Sequence, residues 1–99
     1  MAVYQTQISS EAQFEINEAV EYFNSLALDL GFDFAYEVSE MVLKMEDNPF
    51  LFQKIYLDYR RAVIRRFQYN IIYYINRQTI NIVAVIHGSR DTSRWKERR

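Results

Sequence analysis

Cysteine is absent from this chain, and histidine, proline and glycine each occur only once or twice. Without cysteine there is no disulfide framework and no thiol chemistry, which fits a reducing compartment. The one histidine, His87, excludes a metal site built from several imidazoles, and carboxylates alone make a poor zinc site. We therefore expect neither a metal nor a cofactor.

Long apolar runs are also lacking. No run approaches the roughly 18 residues of a membrane span, and the first residues lack the basic start and apolar stretch of a signal peptide. These absences predict a soluble, cytoplasmic protein with no membrane partner. A hydrophobic fraction of 49% and an aromatic fraction of 16% argue against disorder. The length of 99 residues predicts a single domain over residues 1–99.

Charge is divided unevenly along the chain. Residues 1–58 hold two basic and eleven acidic residues, a net charge of −9, whereas residues 59–99 hold ten basic and two acidic residues, a net charge of +8. Such an asymmetry indicates an interaction surface. It is equally compatible with two halves that attract each other within one fold.

The first half of the sequence predicts one strand and two helices. Residues 3–8 are expected to form a short strand, after which Ser9 and Ser10 both offer hydroxyls to cap a helix; if Ser10 is the cap, Gln13 takes the position of a capping box. Apolar residues at helical spacing extend this helix to about residue 30, where Gly31 is placed to end it. A second helix is expected over residues 34–46 and ends before Pro49.

The last third predicts strands over residues 60–67, 69–76 and 79–87, with Arg77-Gln78 as a tight hairpin link. The apolar run 71–75 indicates a central strand covered on both faces. Residues 50–59 are interpreted as a connection or a partial strand. The order β-α-α-β-β-β predicts an α+β domain, a helical hairpin packed on a mainly antiparallel four-stranded sheet. Core burial is assigned to residues 12–86, and the basic C-terminal tail 88–99 offers only Trp95 to that core. Truncation after Arg90 is therefore expected to leave a folded protein.

Several local patterns follow one another in a fixed order. They are the acidic helix segment 18–23 (EAVEYF), Leu30-Gly31, Asn48-Pro49, the strand segment 65–73 (RRFQYNIIY), and the segment 82–87 (IVAVIH) followed by Arg90 and Trp95. Together they resemble the RelE/ParE toxin superfamily over nearly the whole chain. The segment 65–73 looks like the family's Arg-rich Phe-Pro-Tyr strand, with Gln68 where the family commonly has proline.

The resemblance implies one of two activities. RelE-like members cleave mRNA on the ribosome, and ParE-like members, the plasmid-stabilisation type, poison DNA gyrase without hydrolysis. RNA cleavage needs groups that move protons and neutralise a phosphate. Cleaving members commonly supply these from an arginine beside the middle-strand aromatic and from His, Arg or Tyr at the end of the last strand. Here the first position is Asn70, and no tyrosine follows the segment from His87 to Arg90.

The incomplete site favours a ParE-like, growth-inhibiting toxin that binds gyrase and is held inactive by a cognate antitoxin in a toxin–antitoxin hetero-oligomer. One alternative is a ribosome-dependent mRNA endonuclease with Arg65, His87 and Arg90 as its catalytic residues. Another is a degenerate, non-toxic binding module. His87 also fits a strand-end histidine bonded to a neighbour.

Target or antitoxin binding is assigned to six residues of the basic half. These are Arg61, Arg65, Arg66, Arg90, Arg94 and Trp95. Arginine and tryptophan are favoured at binding hot spots. The arginines fit an edge-like strand kept soluble by charge equally well. Trp95 fits either an exposed anchor or a side chain that folds back onto the sheet.

Overall fold

The computed structural model describes residues 3–99, so the first two positions of the predicted domain 1–99 lie outside the described residues. The elements are β1 (Gln5–Ile8), α1 (Ser10–Leu26), α2 (Leu30–Asp47), β2 (Gln53–Tyr56), β3 (Tyr59–Ile64), β4 (Tyr69–Asn76) and β5 (Thr79–His87). Two short 3-10 turns, Gly88–Arg90 and Arg94–Glu97, follow. Neither helix within residues 3–99 has the length and apolar character needed to cross a membrane.

The strands form one sheet in the order β1-β5-β4-β3-β2. β1 runs parallel to β5, and every other neighbouring pair is antiparallel. The predicted α+β arrangement of a helical hairpin on a mainly antiparallel sheet is confirmed, with five strands instead of four. The fifth is β2, which lies within the segment that the sequence left as a connection or a partial strand.

The sheet is covered on both faces, as the apolar run of β4 predicted. The helices contribute Ala12, Ile16, Ala19, Phe34, Val38 and Met45 to one core, which packs on β3, β4 and β5. The opposite face carries a smaller core of Tyr59, Ile72, Val83, Ala84 and Trp95. The second core exists because the C-terminal tail folds back over the sheet.

The junction between the helices differs from the sequence-based expectation. α1 ends at Leu26 and α2 begins at Leu30, so Gly31 lies in the first turn of α2 and does not end α1. The Gly31 amide donates to Asn24 Oδ1 at 2.7 Å, and a Cβ on Gly31 would lie 2.2 Å from the Val20 carbonyl oxygen. Glycine is therefore needed for the close approach of the two helices. Of the two candidate caps, Ser9 is the one that caps α1, since its Oγ accepts from the Ala12 amide.

β3 is shorter than predicted. It ends at Ile64, and Arg65 and Arg66 belong to a turn in which the Gln68 amide donates to the Arg65 carbonyl. Gln68 has a φ of 58°, which the proline of the family pattern cannot adopt because its ring holds φ near −65°. The ranges of β4 and β5 and the Arg77-Gln78 link are confirmed.

The tail is part of the folded structure. Trp95 is 3% exposed, and its ring lies edge-on to Tyr59 with the centroids 5.2 Å apart. The indole N–H donates to Asp91 Oδ1 at 2.9 Å. Trp95 is the tail residue that the sequence offered to the core, and the structure shows that it supplies the largest side chain of a second core on the face of the sheet away from the helices.

Candidate functional site

One end of the sheet gathers most of the residues singled out from the sequence. The turn after β3 and the end of β5 meet there, since the Gly88 amide donates to the Gln68 carbonyl at 2.9 Å and Tyr69 pairs with His87. α1 overhangs this end and closes a cleft of about 330 Å³. The polar and aromatic side chains that line the cleft are Glu15, Glu18, Tyr22, Tyr69, His87 and Arg90.

His87 is engaged by its own chain neighbours. Its Nδ1 lies 3.1 Å from the Ser89 amide, which donates to it, and 2.7 Å from Ser89 Oγ. The imidazole also packs edge-on against the Tyr69 ring, with the centroids 5.4 Å apart. These contacts match the interpretation of a strand-end histidine bonded to neighbours. They orient the ring and use one of its two nitrogens.

Asn70 is the residue of β4 that the sequence resemblance singled out for its lack of charge. It is 8% exposed and sits between Val63 of β3 and Ile86 of β5 in the sheet register. A Cβ on Gly88 would lie 3.8 Å from Asn70 Nδ2, so the amide packs close to the turn that follows β5. Its strand neighbours Tyr69 and Ile71 pack into the helix-side core, so the neutral amide of Asn70 lies on the opposite face of the sheet and does not line the cleft.

The helix side of the cleft is acidic. Glu15 Oε1 accepts from the Val85 amide and from Arg98, each at 3.0 Å, and Glu18 lies one turn further along α1. Arg90 is the only arginine or lysine among the lining residues. Burial raises the pKa of Tyr69, so its hydroxyl stays protonated at neutral pH. Because Glu15 is paired with Arg98, the charges of Arg90 and Glu18 are left to offset each other, and the lining holds no excess of positive charge for a phosphate backbone.

The predicted catalytic residues are only partly brought together. His87 and Arg90 line the same cleft. Arg65 lies at the same end of the sheet but faces a different groove, of about 790 Å³, between α2 and β3.

The predicted binding residues are spread over separate surfaces. Arg61 and Arg65 share the α2–β3 groove with the exposed side chains of Leu43 and Leu51. Arg66 is held against α2 by Asp33 and Glu37, at 3.2 and 3.7 Å.

The tail residues of the predicted set differ in exposure. Arg94 is exposed, whereas Trp95 is buried against the sheet. In this position the indole belongs to the core and is not exposed to a binding partner. The alternative of a tryptophan that folds back is the one that the structure shows.

Two acidic side chains with structural roles escaped the sequence analysis. Glu15 bonds to β5 and to Arg98, 83 positions along the chain. Asp58 binds Arg99 through both carboxylate oxygens, and this hydrogen bonding lowers the pKa of Asp58. The feature of the sequence that could have indicated these contacts is the charge asymmetry, because an acidic first half and a basic second half attract each other.

No protein-family model matches the chain, and no curated protein matches its sequence. Among solved structures, the chain is similar to a chain of the chromosomal ParDE TA system from P. aeruginosa. The TM-score is 0.75 over 86% of this chain and 96% of that chain, at 10% sequence identity. At this identity the likeness shows a shared fold. It confirms the fold expected from the sequence resemblance.

Proposed function

We propose that this chain is the toxin of a type II toxin–antitoxin pair, acts in the cytoplasm, and inhibits DNA gyrase by binding. The proposal rests on the fold, which is shared with a chain of a ParDE system, and on the chemistry of the cleft. The observation that supports binding over cleavage is the lining of the cleft, in which Arg90 is accompanied by Glu15 and Glu18 and to which Asn70 does not contribute. A cleaving site instead needs cations where the phosphate charge develops.

The cleft supports binding of a protein better than RNA cleavage. General acid–base catalysis on a ribose requires a group free to take a proton and a cation to hold the phosphate. One His87 nitrogen is already bonded to Ser89, and within residues 3–99 the lining of the cleft offers no arginine or lysine besides Arg90. Aromatic and charged side chains around a concave surface are instead typical of protein recognition.

Growth assays separate the two activities. Induced expression in a bacterial host is expected to arrest growth with a DNA damage response while translation continues. Primer extension on translated mRNA is expected to show no new 5′ ends. Codon-specific cuts that disappear in His87→Ala would refute gyrase binding and favour the ribosome-dependent endonuclease, for which the shared cleft of His87 and Arg90 is the supporting observation.

A cognate antitoxin is proposed to cover the basic end of the molecule. Within residues 3–99, no carboxylate lies within ion-pair distance of Arg90 or Arg94, so both are available to an acidic segment. The double variant Arg90→Glu/Arg94→Glu is expected to weaken the complex with the protein encoded next to this chain. The matched control is Arg77→Glu, an exposed arginine in the hairpin link between β4 and β5.

The salt dependence of the same complex gives a second readout. Ion pairs at an exposed interface weaken as ionic strength rises. The affinity of the natural chain is expected to fall with added salt, and that of the double variant to fall less steeply. Equal affinities of Arg90→Glu/Arg94→Glu and the natural chain would place the covered surface elsewhere, and the remaining candidates are then Arg61, Arg65 and Arg66.

A further inference from the structure

The outer edge of β5 continues beyond the strand that covers it. β1 pairs with β5 only from Thr79 to Ile82, and one further bond joins the Ser9 amide to the Ile82 carbonyl. Within residues 3–99, no strand lies beside the remaining edge, from Val83 to His87. An uncovered edge presents backbone N–H and C=O groups that another chain can pair with.

Two side chains occupy that edge in place of a strand. Glu15 Oε1 accepts from the Val85 amide at 3.0 Å, and Arg98 Nη1 donates to the Val83 carbonyl at 3.0 Å. The same two side chains bond to each other at 3.0 Å, with side-chain exposures of 17% for Glu15 and 20% for Arg98. A carboxylate thus stands where a strand carbonyl would be, and a guanidinium where a strand N–H would be. This arrangement of Glu15 and Arg98 is called the edge clasp below.

We propose that the edge from Val83 to His87 is a docking site for an extended segment of a partner protein, and that the segment displaces the edge clasp. The segment adds a strand in line with β1 and lies in the cleft between α1 and β5. An added strand supplies a ladder of backbone hydrogen bonds along five residues, whereas the edge clasp satisfies two backbone groups. Docking there covers His87 and Arg90.

The geometry sets the length of the segment. The open edge spans five residues, or roughly 16 Å at about 3.3 Å per residue. Glu15 and Glu18 of α1 line the same cleft as Val85 and His87, so α1 lies beside this edge, and a short extended segment is favoured there over a helix about 10 Å across.

The charges around the edge set the chemistry of the segment. Arg98 pairs with Glu15 at 3.0 Å and with Glu11 at 3.6 Å, and Glu18 lies on the same wall of the cleft. A segment that displaces Arg98 from Glu15 must bring a lysine or arginine to replace it, while Arg98 keeps the exposed Glu11. At the other end of the cleft, an acidic side chain of the segment would pair with Arg90. The partner segment is therefore a short β-forming stretch with a basic residue near one end and an acidic residue near the other.

The test uses the full chain and a synthetic probe. The probe is a capped seven-residue peptide of alternating threonine and valine, with a lysine near one end and a glutamate near the other. In a titration followed by amide chemical shifts, the amides of Val85 and His87 are expected to shift. A peptide with proline at its centre cannot complete the ladder and is expected to leave them unchanged. A peptide with serine in place of lysine is expected to bind more weakly.

Removal of the edge clasp gives the second arm. Arg98→Ala removes the competitor for the edge and is expected to bind the probe about tenfold more tightly, because less of the chain is in the closed state. The matched control Arg77→Ala is expected to bind like the natural chain. Equal binding of the proline peptide, shifts confined to β3, no shift at millimolar probe, or an unchanged affinity of Arg98→Ala would each overturn the proposal.

If the chain is a toxin as proposed, the docking segment belongs to the antitoxin, and this identification of the partner rests on the proposed function. The two proposals nevertheless fail separately. Probe binding at Val85 and His87 in a chain that does not arrest growth refutes the toxin proposal alone. Growth arrest by a chain that shows no probe binding refutes the docking edge alone.

Discussion

Replacing Trp95 with alanine is expected to destabilise the domain severely, although the residue lies in a charged tail. The indole is 3% exposed and packs on Tyr59, Ile72 and Val83. Truncating a buried tryptophan to alanine costs about 3–5 kcal/mol, because transfer free energy is lost and a cavity remains. The substitution also removes the bond from the indole N–H to Asp91. The loss is a large share of the roughly 5–15 kcal/mol by which a domain is stable.

The measurement is urea and thermal unfolding followed by far-UV circular dichroism, since the variant has no tryptophan to report by fluorescence. At about 4–8 °C per kcal/mol for a domain of this size, Tm is expected to fall by at least about 12 °C. Trp95→Phe retains an aromatic ring and is expected to lose less. Arg94→Ala, at an exposed neighbouring position, serves as the control and is expected to change stability by under about 0.5 kcal/mol.

A loss below about 1 kcal/mol in Trp95→Ala would refute the reasoning, because a side chain that packs as described cannot be removed so cheaply. The same reasoning reverses the expectation drawn from the sequence for truncation after Arg90. That truncation removes Trp95 together with Arg98, which bonds to Glu15 and to the Val83 carbonyl. The truncated chain is therefore expected to be unfolded or only partly folded at 37 °C.

Three further perturbations follow from named contacts. Gly31→Ala places a methyl group against the Val20 carbonyl and is expected to cost at least about 1–3 kcal/mol in urea unfolding; an unchanged midpoint would contradict the close helix approach. Burial raises the pKa of Tyr73 to about 12. The free energy of unfolding is therefore unaffected by this group below pH 10 and falls by about 2–3 kcal/mol as the pH rises towards 12. Tyr73→Phe should reduce this dependence. Arg99 lowers the pKa of Asp58, so the contribution of that pair is present above pH 3.8 and is lost as the pH falls further. Acid titration of Asp58→Asn should show a smaller loss than the natural chain, and parallel curves would exclude the pair from the acid response.

The strands with a continuous apolar run could be predicted well from the sequence. The ranges of β4 and β5 were correct because β-branched and aromatic residues fill them and a polar two-residue link separates them. The fold class followed from the order of the elements. β2, with the sequence QKIY, has no such run and is a strand only because β3 lies beside it.

Helix ends and long-range contacts could not be predicted in the same way. The sequence around Gly31 is compatible with the end of the first helix and with the first turn of the second. Only the close approach of the Val20 carbonyl distinguishes the two positions. The edge clasp joins Glu15 to Arg98, and nothing in the local pattern of either residue pairs them. Glu15 lines the candidate cleft through its contact with β5. Of the cleft's residues, the sequence therefore predicted only His87 and Arg90 as site residues.

The parallel pairing of β1 with β5 also bears on how the chain acquires its structure. Gln5 lies beside Thr79, so the first strand has no partner until the last strand has been made. At about 5–20 residues per second, synthesis leaves β1 waiting roughly 4–16 s for β5. The β4–β5 hairpin is local and can form first, while closure of β1 and of the tail over β5 carries the higher contact order and comes last. Pulse-labelled hydrogen exchange during refolding is expected to protect β4 before β1. The cleft under α1 therefore does not exist on the nascent chain. It can bind a partner only after β1 and the C-terminal tail have both packed against β5.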